Sequence, residues 1–160
     1  MSHPLDNIPS LPHVLSMDYD AIIAGGGLNG LTLALALDSA GITTAVIDAF
    51  APQESLNPKF DGRSYALSAA SQKMLSALGL WDDLASHAEP MVEIKVSDGA
   101  AGEMPSPFVM QFGDEDFSHG PMGFMVEDRH LRARLAKAVD MSGVTFRTGQ
   151  IITGQTIHPT

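Results

Sequence analysis

The chain has 160 residues, 44% of them hydrophobic and 18% charged, a globular balance and not a disordered one. Nine Lys and Arg face nineteen Asp and Glu, a net charge of -10, which repels nucleic-acid backbones and anionic headgroups and argues against a nucleic-acid partner. Cysteine is absent, so disulfide scaffolds, thiolate metal sites, cysteine nucleophiles and redox CxxC pairs are excluded together.

Residues 1–16 carry no Lys or Arg but do carry Pro4, Pro9 and Pro12, and read as a flexible leader, not a signal or transit peptide. No apolar run reaches the roughly 18 residues needed to span a bilayer. The expectation is a soluble, cytoplasmic chain.

Residues 19–24 (YDAIIA) form a short Ile-rich run closed by glycines, as a buried strand does. Residues 28–40 are rich in Leu and Ala and end before Gly41, a helix with a glycine just past its end. Residues 43–48 (TTAVID) are β-branched and apolar, a second strand. Strand, helix and strand in thirty residues predict a βαβ unit with parallel, adjacent strands.

Residues 51–63 read as a loop with Pro52 and Pro58. Helices are expected at 68–78 and, after Gly79, at 81–88; strands at 91–97, 108–112 and 123–127, with the acidic stretch 114–116 as a loop. Leu131 and Leu135 mark a helix over 128–139 with Asp128 as its N-cap, and strands follow at 144–147 and 151–157. The expected fold class is α/β: a Rossmann-like βαβ domain with a parallel sheet over 17–160, and a strand-rich antiparallel excursion over about 89–127. The sequence stops just after a strand, which suggests the N-terminal portion of a larger domain.

Gly25, Gly27 and Gly30 stand between the first strand and its helix as G-x-G-x-x-G, with Ala34 and Gly41 at the further spacing x3-A-x6-G. A lone match is weak, but strand before, helix after and second strand following supply the context that makes it a dinucleotide fingerprint. Gly25 permits a tight turn, Gly27 lets a pyrophosphate approach the backbone, and Gly30 lets helix and sheet pack closely. The helix N-terminus, through Leu28, Asn29 and Gly30, then offers free N–H groups and about half a positive charge. The first basic residue of the chain is Lys59, so local anion binding falls to main-chain amides. Asp48 ends the second strand, where a carboxylate accepts ribose hydroxyls and repels a 2'-phosphate, against NADP in this particular site.

Residues 61–68 (DGRSYALS), the following helix closing in ALGLW, the glycine loop and the strand MVEIKVSDG together resemble the FAD-dependent aromatic-ring monooxygenases, and among them the ubiquinone-biosynthesis hydroxylases of the 2-polyprenyl-6-methoxyphenol type. The likeness runs from Tyr19 to about Leu135. It implies bound FAD, NAD(P)H as reductant, O2 as co-substrate and a prenylated phenol as substrate. Because such substrates live in lipid, peripheral membrane or biosynthetic-complex association is compatible with it. Carried onto this chain, Gly25, Gly27, Leu28, Asn29 and Gly30 would hold the diphosphate, Asp48 the adenosine ribose, and Arg63 the diphosphate from its loop. The alternative for Arg63 is a solvated arginine capping a surface loop. The family places Arg, Gln or Asn where this chain has Asp128, whose carboxylate would repel phosphate; its neighbour Arg129 is the substitute candidate, with solvated helix surface as the alternative. The family's later Asp-Gly and Gly-Asp motifs and its substrate sheet lie outside these residues, so the isolated chain is expected to be inactive, and no catalytic residue is assigned.

Six scattered histidines (His3, His13, His87, His119, His130 and His158) lack ligand spacing, and no metal site is expected. Two other classes stay open. An NAD-dependent dehydrogenase would need a catalytic set that Tyr19 and Tyr65, without a lysine four residues on, do not supply. A non-catalytic nucleotide-binding module would need only the glycine loop.

Overall fold

The computed structural model describes residues 18–51, 56, 59, 61–99, 102, 104, 107–113 and 120–157. The expected leader, most of the 51–63 loop and the acidic stretch 114–116 lie outside the described residues.

Three short strands make a parallel sheet: β1 (Ala21–Ala24), β2 (Thr44–Ile47) and β8 (Thr145–Arg147), in the order β1-β2-β8. Ala21 pairs with Thr44 and Ala45 with Thr145. Helix α1 (Leu28–Ser39) crosses between β1 and β2, completing the expected βαβ unit. Gly41 follows its end at φ +77°, a conformation glycine adopts without strain.

A second, antiparallel sheet has the order β3-β7-β4, from β3 (Ser64–Ser68), β7 (Gly123–Glu127) and β4 (Ala88–Pro90). Strands β5 (Ile94–Ser97) and β6 (Val109–Phe112) form a separate antiparallel pair whose residues are all exposed. The remaining helices are α2 (Ala69–Ala77), α3 (Trp81–Ala85) and α4 (Asp128–Asp140). The chain is therefore α/β, a Rossmann-like parallel sheet with small antiparallel sheets beside it.

The core joins these layers. Leu31 and Leu35 of α1 meet Leu131, Leu135 and Val139 of α4, with Val46 of the parallel sheet and Val126 of the antiparallel sheet beneath. Ala34 is fully buried, as close helix packing requires of a small residue. Trp81 packs edge-on against Phe124 with ring centres 4.8 Å apart. No helix among the described residues is long and apolar enough to cross a membrane.

Two expectations fail. Residues 151–157 are not a strand: they are exposed and, among the described residues, pair with no neighbour. Their β-branched composition meets a propensity, but a strand exists only where a ladder forms. Asp128 is not an N-cap; Glu127 holds that position and Asp128 is the first helical residue, its side chain buried. The strands β3 and β4 were not expected, the first hidden within the DGRSYALS stretch and the second at the end of an expected helix.

Candidate dinucleotide site

The glycine turn leads from β1 into α1. Gly25 has φ +103°, which a side chain rarely tolerates. A Cβ on Gly30 would lie 2.0 Å from the carbonyl oxygen of Gly25 and 3.4 Å from the Ile23 side chain, so the turn and the helix touch there directly. A Cβ on Gly27 would meet nothing within 4 Å. Gly27 is the N-cap of α1 and brings no side-chain cap, and the first turn holds no acid. The first amides of this helix are thus left without side-chain acceptors at the open face of the turn.

Gly26 also matters, though the motif spacing passes over it. A Cβ there would strike the Phe146 ring at 2.4 Å, and its N–H donates to Asp48 Oδ2 at 2.5 Å. Three consecutive glycines at 25–27 were the available signal. Asp48 Oδ1 accepts the Phe50 N–H at 2.9 Å. These donors, Gly26 first, hold the Asp48 carboxyl below its ordinary range, so it stays ionised at the mouth of the turn.

A cleft of about 820 Å³ opens beside the turn. Gly25, Gly27, Leu28, Asn29 and Gly30 line one side; Tyr65, Ala66 and Leu67 of β3, Met74 and Leu75 of α2, and Leu131, Arg132 and Leu135 of α4 line the others. Its surface is mostly apolar, and Arg132 is the one charged residue among the described lining.

The basic candidates read from sequence are arranged differently. Arg63 gives Nη2 and Nε to Asp61 Oδ2 at 2.5 and 2.8 Å, and its Nη2 lies 3.3 Å from Asp128 Oδ2. Asp61, then Asp128, hold its guanidinium firmly protonated. Arg129 gives Nε to Glu127 Oε2 at 2.5 Å. Neither is among the described residues lining the cleft. Arg132 was missed. Helical geometry could have found it: at 100° per residue, Asp128, Leu131, Arg132 and Leu135 share one face, and Arg129 lies off it.

An adenine dinucleotide fits this chemistry. The turn is open where a diphosphate would approach Gly27, the α1 amides are uncapped, and a carboxylate stands at the end of the second strand. Fold and site together define a dinucleotide-binding α/β domain.

The chain belongs to the FAD binding domain family, which it matches over residues 18–155. It is 42% identical over 113 residues to ubiquinone hydroxylase UbiL of Rhodospirillum rubrum, a match covering 71% of this chain and 25% of that protein. Ubiquinone hydroxylase UbiM of Neisseria meningitidis is 23% identical over 146 residues, 88% of this chain and 31% of its own length. Among solved structures, the flavin-dependent monooxygenase PieE in complex with FAD and substrate superposes with a TM-score of 0.56 at 23% identity, covering 82% of this chain and 24% of that one. The chain thus spans a quarter to a third of the relatives it resembles.

Proposed function

We propose that this chain is the FAD-binding portion of a flavoprotein monooxygenase that hydroxylates a polyprenylated phenol ring in ubiquinone biosynthesis, using NAD(P)H and O2. The observation that carries the FAD reading is the uncapped α1 N-terminus opening at Gly27 onto the cleft. The ubiquinone assignment is supported by the 42% identity with UbiL.

FAD, when bound, would accept electrons from the reduced nicotinamide and activate oxygen toward the ring. The protein's part is binding and orientation. The amides of Leu28, Asn29 and Gly30 would donate to the diphosphate, aided by the helix dipole. Asp48, kept ionised, would accept the ribose hydroxyls while still holding Gly26. Tyr65, Leu67, Met74 and Leu75 would exclude water along the cofactor. On this reading the 160 residues bind FAD but do not hydroxylate by themselves.

Titration with FAD and with NAD, followed by flavin fluorescence and thermal melting, tests it. FAD at a hundred times its Kd should stabilise the fold by about 2.7 kcal/mol. Stabilisation by NAD alone would shift the reading to a dehydrogenase, and NADPH-dependent hydroxylation by the purified chain would overturn the inactive-fragment part.

A further inference from the structure

We infer that Arg132, seated by the buried Asp128, is the side-chain cation that meets the anionic stretch of the dinucleotide, and that Arg129 is not; this rests on the FAD reading above.

The argument starts from the first turn of α4. The Asp128 side chain is only 5% exposed, and its Oδ2 accepts Arg132 Nε at 2.7 Å, one helical turn on. Arg63 Nη2 approaches the same oxygen at 3.3 Å. Burying a carboxylate is costly unless it is paired, and here two guanidinium groups face it. Arg63 also pairs with Asp61, so the two carboxylates and two guanidinium groups of this cluster balance, and Arg132 is the member that lines the cleft. A buried ion pair adds little to stability against an apolar replacement of equal volume. Its clear effect is geometric: with Nε fixed by Asp128, the Arg132 fork is held on the helix face that lines the same cleft as the glycine turn. Among the described residues its Nη groups take no other partner, leaving paired donors suited to phosphate oxygens. Arg129 spends its Nε on Glu127, and Arg63 is doubly bonded to Asp61.

The departure noted in the sequence thereby acquires a role. A carboxylate at position 128 would repel a diphosphate if it faced the cleft. Instead it is buried away from the described cleft lining, its Oδ2 shared by Arg132 and Arg63, and the charge presented to the cleft is that of Arg132. Asp128 is a positioning residue.

The test uses the full 160-residue chain, with FAD affinity read from flavin fluorescence at low and at moderate salt. Arg132→Gln should weaken FAD binding roughly 10- to 100-fold, the loss expected for hydrogen bonds to a charged group, and should flatten the salt dependence of binding. Arg132→Lys should recover part of the affinity and restore the salt slope. Arg129→Gln should stay within about twofold of the unaltered chain. Asp128→Asn should weaken binding by releasing Arg132 while steepening its salt dependence, because a carboxylate is lost and both guanidinium charges remain, a change a merely structural defect would not bring. Melting curves check that it folds, and the Arg132 pair decides the matter if it does not. Wild-type affinity and salt slope in Arg132→Gln overturn the inference and leave the FAD reading standing. Failure of the unaltered chain to bind FAD overturns both.

Discussion

Helices α1 and α4 lie against each other, and their N-terminal halves line the same cleft, yet the two ends differ in the charge they carry. The start of α4 is crowded with charge. Glu127 bonds Arg129, Asp128 bonds Arg132 and Arg63, and the Asp128 N–H donates to the Arg63 carbonyl. The start of α1 has a glycine N-cap, no side-chain cap and no acid in the first turn. Neither N-cap residue, Glu127 or Gly27, caps its helix with a side chain, but the α4 end carries acids paired with arginines, whereas the α1 end opens onto the cleft with no charged side chain in its first turn. A glycine N-cap costs only a few tenths of a kcal/mol against serine or aspartate, so the α1 end stays open at little cost to the fold.

The largest effect expected from this contrast comes at Gly30. Helix propensity alone would favour alanine there by up to about 1 kcal/mol. The added Cβ, however, would meet the Gly25 carbonyl oxygen at 2.0 Å, and backbone cannot step aside as a side chain can. Gly30→Ala should destabilise the chain by roughly 1–3 kcal/mol, the usual cost of overpacking, measured by urea or thermal unfolding. A stability gain would mean that the turn is looser than the contact implies.

Gly27 should behave in the opposite sense. Its Cβ direction is empty, and serine is a preferred N-cap. Gly27→Ser should leave the fold equally stable or improve it by a few tenths of a kcal/mol. The same hydroxyl would take the amides and the space that a diphosphate needs. FAD affinity should fall at least about tenfold, on the order of 1.4 kcal/mol. Loss of stability together with intact FAD binding would invert the proposed difference between the two helix ends.

How far the sequence discloses this arrangement depends on the scale of the signal. The βαβ unit was legible because Ile22, Ile23, Ala45 and Val46 form short apolar runs and Gly25 and Gly41 bound the helix between them. Glycine positions are legible for the same reason: backbone conformation leaves a mark on residue type. The strand β3 was obscured because burial alternates along Ser64–Ser68 while the residue types SYALS do not, and the strand runs straight into α2. The stretch 151–157 has strand composition but lacks a partner, and pairing is a tertiary fact. Arg129 and Arg132 show the limit most clearly. Both are arginines in the first half of one helix, and only the rotation of that helix against the leucines of the core separates the residue facing the cleft from the one bonded to Glu127.

The smallest expected effect sharpens the α4 side. His130, in the first turn of α4, stacks on His87, which precedes β4, with ring centres 3.8 Å apart and planes 7° from parallel. Burial lowers the His130 pKa, the neighbouring His87 and Arg129 lower it further, and Glu127, 3.7 Å from Nε2, pulls weakly the other way. The folded chain therefore binds a proton here less readily than the unfolded chain, whose histidine titrates near about 6.5. Its stabilising contribution is present above that value and is lost as pH falls through it, levelling off once the folded-state pKa is passed. Melting temperatures of the unaltered chain and of His130→Gln, compared from pH 8 to pH 5, should converge on the acid side as this term disappears from the former. The convergence should persist in high salt, because burial, which salt does not screen, is its first cause. A gap that widens toward acid pH would instead show His130 bound to Glu127 as a cation, and the α4 end would then be held by one more ion pair than the stacked rings indicate.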